Sequence, residues 1–168
     1  MKQFAPGFLI GAATAAHQVE GNNIHNDCWA QEQMEHSSYV EPSLDACDHY
    51  HKYAEDIRLM AGAGLNAYRF SIEWARIEPE EGVFSQEALD HYREEITAMK
   101  ERGIRPLLTL HHFSNPLWLE EKGAFLSADN ITYYLRYVHK VVEALGDLVS
   151  EYITINEPNV YAFNSYFD

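Results

Sequence analysis

Hydrophobic and polar positions along this chain fall into two alternating periods, and their order predicts the order of elements. Residues 8–13 form a short apolar run that predicts a buried strand, followed by the polar group His17, Gln18 and Glu20. Residues 21–43 are polar and patternless, which predicts a long loop over one face of the protein. Tyr50, Tyr53, Ala54, Ile57, Met60 and Ala61 then recur at three-and-four spacing and predict a helix over 45–63. A second strand is expected over 67–72, a turn at Glu78-Pro79-Glu80-Glu81-Gly82, and a helix over 86–102 with Leu89, Tyr92, Ile96 and Met99 inward. A third strand over 106–110 precedes a helix over 129–145. The inner stripe of that helix is read as Ile131, Tyr134, Leu135, Val138, Val141, Val142 and Leu145. The fourth strand, 151–155, stops at Asn156-Glu157-Pro158. Proline at 158 predicts an extended backbone for Glu157.

Gly64, Gly103 and Gly146 end the three helices at intervals of 39 and 43 residues, and each is followed by an apolar strand. A repeating strand-helix unit means an α/β protein with a parallel sheet and right-handed crossovers. Two architectures share that signature. A doubly wound sheet announces its ligand with a glycine-rich turn after the first strand, and Gly11-Ala12-Ala13-Thr14 is not that fingerprint. In a (β/α)8 TIM barrel, functional groups come instead from the carboxyl ends of several strands. Gln18, Arg69, His112 and Glu157 follow four successive strands in that way.

Composition narrows the function. With 168 residues, 46% of them hydrophobic, and no low-complexity tract, the chain is expected to be a single domain over 1–168. A formal charge of −14 argues against nucleic acid and against anionic membranes, and is neutral towards a sugar. Two cysteines, Cys28 and Cys47, form no disulfide framework, which points to a reducing, cytoplasmic setting. The apolar start is interrupted by Pro6 and Gly7 and is read as mature sequence rather than a signal peptide. No cofactor and no metal is expected, because His49 and His51 point apart on a helix, and His111 and His112 alternate across a strand.

Five runs then carry a resemblance. They are Gly7-Phe8-Leu9-Ile10-Gly11-Ala12-Ala13-Thr14-Ala15-Ala16-His17-Gln18-Val19-Glu20-Gly21, Ala46-Cys47-Asp48-His49-Tyr50, Ala67-Tyr68-Arg69-Phe70-Ser71-Ile72-Glu73-Trp74-Ala75-Arg76-Ile77, Thr109-Leu110-His111-His112-Phe113 and Thr154-Ile155-Asn156-Glu157-Pro158. In this order they resemble the amino-terminal half of the barrel of glycoside hydrolase family 1, the retaining β-glucosidase and β-galactosidase family. The resemblance implies that Glu157 is the general acid/base and that Asn156 bonds the 2-hydroxyl of the sugar. It implies that Gln18 and His112 bond other hydroxyls of the same sugar, and that Arg69 lies beside the nucleophile. Phe113 stands where many members have tryptophan, so stacking against a sugar face survives and an indole donor does not. Glu73 is read as structural, and Glu20 as ordering the loop after the first strand.

The same resemblance implies a second carboxylate on a later strand, in a Thr-Glu-Asn-Gly-like motif that these 168 residues do not contain. Retaining hydrolysis needs both carboxylates, roughly 5–5.5 Å apart. A β-glycoside substrate is therefore expected only with a partner that completes the barrel. Four strands alone expose two edges and an apolar face, which predicts pairing with the other half or self-association. The alternative is a non-catalytic half-barrel that binds a ligand or its own copy.

Overall fold

The computed structural model describes residues 4–167. Four parallel strands, β1 (Gly11–Ala13), β2 (Ala67–Ser71), β3 (Arg105–His111) and β4 (Tyr152–Ile155), pair in the order 1-2-3-4. The crossovers carry α3 (His49–Gly62), α5 (Gln86–Glu101) and α7 (Ile131–Leu145). Right-handed crossovers in a sheet whose order never reverses put every helix on the same face, which is barrel winding and not double winding.

Side-chain alternation fixes which face that is. Tyr68 and Phe70 of β2 and Leu108 and Leu110 of β3 join one buried cluster with Ile57 of α3, Leu89, Tyr92, Ile96 and Met99 of α5, and Tyr137, Val141 and Leu145 of α7. Phe70 is in register with Leu108, and Ser71 with Thr109. Arg69, Ser71 and Thr109 therefore share the opposite face, the inside of the incipient barrel. Two tyrosines tie α7 to the sheet: Tyr137 donates to the Leu110 carbonyl at 2.8 Å, and Tyr134 to that of Thr154 at 2.6 Å.

The expected elements are present with four corrections. The first strand is three residues long and exposed rather than buried. It is an outer strand with no neighbour on its far side among the described residues, so Phe8, Leu9 and Ile10 remain in solvent. Gly11 is required there, because a Cβ would sit 2.5 Å from the Ala67 carbonyl oxygen. The predicted loop over 21–43 contains helix α2 (Asp27–Glu32), capped by Asn26, whose side chain accepts from Trp29 N–H at 2.8 Å. The helix expected from residue 45 starts at His49. Residues 45–48 are instead tight turns in which Ala46 and Asp48 have φ of +48° and +56°. On α7 the buried stripe is Tyr134, Tyr137, Val141 and Leu145, while Ile131, Leu135 and Val142 are 48%, 49% and 43% exposed. Nothing covers those three among the described residues. Both cysteines are free thiols.

His49 joins α3 to α5. Its Nδ1 lies 2.7 Å from Asp56 and its Nε2 3.1 Å from Glu95. Burial disfavours the imidazolium, but the ionic hydrogen bonds to Glu95 and Asp56 overcome that and push its pKa up to about 9. The folded value exceeds the unfolded one of about 6.5, so the contribution to stability is complete below pH 6.5 and is lost as pH rises through 9. Urea denaturation is expected to show a fall of about 2–3 kcal/mol between pH 6 and pH 9.5. That fall should be absent in His49→Phe.

Candidate active site

Parallel strands with one-sided helices bring all their carboxyl ends to one rim, and the predicted residues lie there. Gln18 is exposed on the single turn α1 (Ala16–Val19) that follows β1. His112 and Phe113 directly follow β3, and Asn156 and Glu157 directly follow β4; Arg69, expected to follow its strand, lies instead in the middle of β2 and reaches the rim group through its long side chain. Arg69 is the link between them. Its Nε donates to Thr109 Oγ1 at 3.1 Å, and its terminal nitrogen donates to Asn156 Oδ1 in a short contact. Asn156 is buried, and its N–H donates to the His111 carbonyl at 2.9 Å, extending the β3–β4 pairing by one residue. Arg69, Thr109 and Asn156 thus form one hydrogen-bonded group across three strands. Gln18 makes no side-chain bond to it among the described residues.

Glu157 departs from the extended conformation that Pro158 predicts. It has φ +43° and ψ +59°, the left-handed region, and is the residue before α8 (Pro158–Tyr166). Its carbonyl accepts from Tyr161 N–H at 2.9 Å, so the helix starts at once and the chain turns sharply off the strand. The side chain is exposed and caps nothing. An L-residue held in this region costs about 1–3 kcal/mol, and such residues cluster where a side chain must be aimed.

His112 is half-buried with Nδ1 enclosed and unbonded. Burial first, then the nearby charges of Arg69 and His111, press its pKa down to about 4, so the ring is neutral at pH 7. Phe113 also has a left-handed φ, +72°, and its ring lies 6.5 Å from that of Tyr161, nearly parallel. A cleft of about 410 Å³ opens behind Phe113 and is lined by Asp27, Tyr39, Tyr161 and Tyr166 among others. Of the predicted site residues only Phe113 borders it. Trp118 packs against its own fold: it donates to the Glu78 carbonyl at 2.9 Å and meets Trp74 edge-on.

Under the rim lies a buried polar network that periodicity does not reveal. Glu20 accepts from Tyr92 Oη at 2.8 Å, from Asn23 at 3.2 Å and from Arg76 Nε at 3.3 Å. Arg76 also donates to the Gly21 carbonyl at 2.8 Å. Glu73 accepts from Ser114 Oγ at 2.9 Å and from Ala75 N–H at 3.3 Å, and its own N–H donates to Tyr92 Oη at 3.0 Å. Burial, then the charge of Glu20, raises Glu73 to about 7. Glu20 is raised too, by burial, with Arg76 opposing. The signal for this network was the unusual number of charged and tyrosine side chains inside otherwise apolar runs. Among the described residues, no three His, Cys, Asp or Glu side chains converge to hold a metal ion.

A one-way parallel sheet with helices on one face and polar side chains gathered towards its carboxyl rim has the architecture of a portion of a (β/α)8 barrel. The sequence profile of Glycosyl hydrolase family 1 matches residues 1–168, and the chain belongs to that family. Beta-glucosidase 11 of Arabidopsis thaliana is 40% identical over 169 residues, an alignment covering 97% of this chain and 32% of that protein. Beta-glucosidase A of Acetivibrio thermocellus is 37% identical, covering 98% of this chain and 38% of its own length. Among solved structures, a beta-glycosidase from Pyrococcus horikoshii superimposes with a TM-score of 0.91 at 46% identity, covering 97% of this chain and 38% of that one. A beta-glucosidase from Thermotoga maritima in complex with castanospermine does so with a TM-score of 0.91 at 36% identity, over 98% and 39%. The chain spans between 32% and 39% of the length of these relatives.

The left-handed φ of Glu157 has a measurable consequence. Glu157→Gly removes the Cβ clash and no hydrogen bond, at the cost of a more flexible unfolded chain. The variant is expected to gain about 0.5–1 kcal/mol in urea denaturation. An equal or larger loss of stability would show that the conformation is unstrained.

Proposed function

We propose that this chain, as one domain over residues 1–168, is the acid/base-bearing portion of a retaining β-glycosidase of the β-glucosidase type. Its nucleophilic glutamate lies on a polypeptide segment outside this sequence, and its substrate is a β-glycoside. The observation that carries this reading is the Arg69–Asn156 link beside Glu157 at the rim where the strands end.

In the first step Glu157 donates a proton to the glycosidic oxygen while the nucleophile attacks the anomeric carbon from the opposite face. In the second step the Glu157 carboxylate takes a proton from a water whose oxygen bonds the anomeric carbon and displaces the nucleophilic carboxylate, which releases the sugar and returns both carboxyl groups to their starting states. Asn156 bonds the 2-hydroxyl. Its side-chain oxygen already accepts from Arg69, which leaves its N–H2 to donate to the sugar. His112 and Gln18 bond further hydroxyls; a neutral His112 ring serves as a hydrogen-bonding group and adds no competing charge. Phe113 offers an apolar ring to a sugar face. Arg69 lies towards the inside of the barrel, where its charge keeps a nearby nucleophilic carboxylate ionised. No step calls for a cofactor.

The partner in this reading is the rest of the barrel. Phe8, Leu9 and Ile10 lead directly into the outer strand β1 and are exposed, and so are Ile131, Leu135 and Val142 of α7. The same exposure supports a second reading, a half-barrel that self-associates without catalysis. The free thiols fit a reducing compartment, and we place the protein in the cytoplasm. Among the described residues no helix is long and apolar enough to cross a membrane.

Hydrolysis of 4-nitrophenyl β-glucoside decides between the two readings. The isolated chain is expected to release no nitrophenol above background. Co-expression with a polypeptide carrying the remaining strands and the nucleophile should restore turnover, and Glu157→Gln should lower that turnover by about 10²–10⁴-fold. Turnover that survives Glu157→Gln would remove the assignment, and a stable dimer that rejects the second polypeptide would favour the scaffold.

A further inference from the structure

Phe113 occupies a backbone conformation that a bulky residue adopts only when its surroundings force it to. The main-chain turn around it is slight: Ser114 N–H donates to the His112 carbonyl at 3.0 Å, spanning a single residue. On the far side Asn115 is anchored by its N–H to Asp27 Oδ1 at 2.8 Å and by its side chain to Glu120 and Tyr161, and Ser114 adds a second attachment. Ser114 is buried and its Oγ donates to Glu73 Oε2 at 2.9 Å. Glu73 cannot move to follow it, because its other oxygen accepts from Ala75 N–H at the start of the short helix α4 (Trp74–Ile77), and its N–H is bonded to Tyr92. Tyr92 lies in the middle of α5, is wholly buried, and its hydroxyl donates a hydrogen bond to Glu20.

We propose that Glu73 is a positioning residue that acts through Ser114 to hold the His112–Phe113 turn in the shape that presents both side chains to a sugar. Glu73 is 1% exposed and lines none of the clefts described, so it has no direct part in the chemistry. An apolar residue would fill the same volume without the expense of burying an acid. The carboxylate is the group that supplies two acceptors at once, one for a helix start after β2 and one for the turn after β3. Through Tyr92 and Glu20 the same network reaches the segment after β1, where Glu20 N–H closes α1 on the Ala16 carbonyl and so fixes the turn that carries Gln18. Three loops from three strands are thereby set relative to one another by side chains that never meet the substrate. The sugar-facing role of His112 and Phe113 rests on the glycosidase reading above; the mechanical link to Glu73 does not.

The test uses the full chain, isotopically labelled, and needs no sugar, so its outcome stands even where the glycosidase assignment fails. In Ser114→Ala, which leaves the Glu73 cap on α4 intact, the ring signals of His112 should shift, and amide exchange at 113–115 should quicken about tenfold, as for one lost hydrogen bond. Exchange at Leu108 and Leu110 should stay unchanged. Glu73→Gln should behave like the parent chain, because an amide keeps an oxygen for Ala75 and turns an N–H2 towards Ser114. Glu73→Ala should reproduce Ser114→Ala. A folded Ser114→Ala with unchanged His112 signals and unchanged exchange at 113–115 would overturn the proposal; if Glu73→Ala does not fold, Ser114→Ala decides alone.

Discussion

Arg69 ties three strands together, and the sheet register is what allows it to. Its guanidinium reaches Thr109 on β3 and Asn156 beyond β4, both of which are turned to the inner face by the same alternation that turns Tyr68, Phe70, Leu108 and Leu110 to the helices. A slip of one residue in β2 would drive Arg69 into the apolar layer and expel Phe70 from it. The hydrophobic pattern that builds the core therefore also places the charged group at the site. Packing and the candidate site share a single register.

Above that register the structure changes character. The middle of the sheet is held by burial of large apolar side chains, and the rim by hydrogen bonds to buried acids. Glu20 and Glu73 each cost desolvation, which shows as their raised pKa values, and each is kept by donors placed around it: Tyr92, Asn23 and Arg76 for one, Ser114 and Ala75 for the other. Such groups contribute little net stability compared with an apolar filling, yet they fix direction in a way that nonpolar contact does not. Two of the residues at this rim, Phe113 and Glu157, have left-handed backbones. The strain sits where the loops leave the strands, and the buried polar layer lies under it.

Much of this was legible in the sequence. The alternation of strand and helix, the helix stops at Gly64 and Gly103, and the rim positions of His112, Asn156 and Glu157 follow from periodicity of 2 and 3.6 and from where apolar runs end, whereas Arg69 sits inside its strand and not after it. What sequence missed had local or missing causes. Helix α2 is too short to display a period, and only the Asn26 cap marks it. The backbone of Glu157 is set by the helix that begins at Pro158, which outweighs the preference that proline imposes on its predecessor. The stripe on α7 was read one position wide of the buried one: Tyr137 faces the sheet, and Ile131, Leu135 and Val142 face a flank with no neighbour among the described residues. A pattern of hydrophobicity records that a residue is destined for contact without naming the surface that meets it.

That last distinction bears on catalysis as well as on packing. A carboxyl group that must carry a proton at the start of a reaction and give it up midway needs a negative neighbour and partial shielding from water. Glu157 ends an outer strand, and in the four-strand sheet its side chain is exposed and has no hydrogen-bond partner among the described residues. Whatever pairs with the free side of β4 would also cover the flank of α7 and close space around Glu157. On the glycosidase reading, the contact that completes the sheet and the contact that tunes the proton donor are then one event. Assembly of the barrel would switch on the chemistry without any movement of the loops that Glu73 and Glu20 already hold in place.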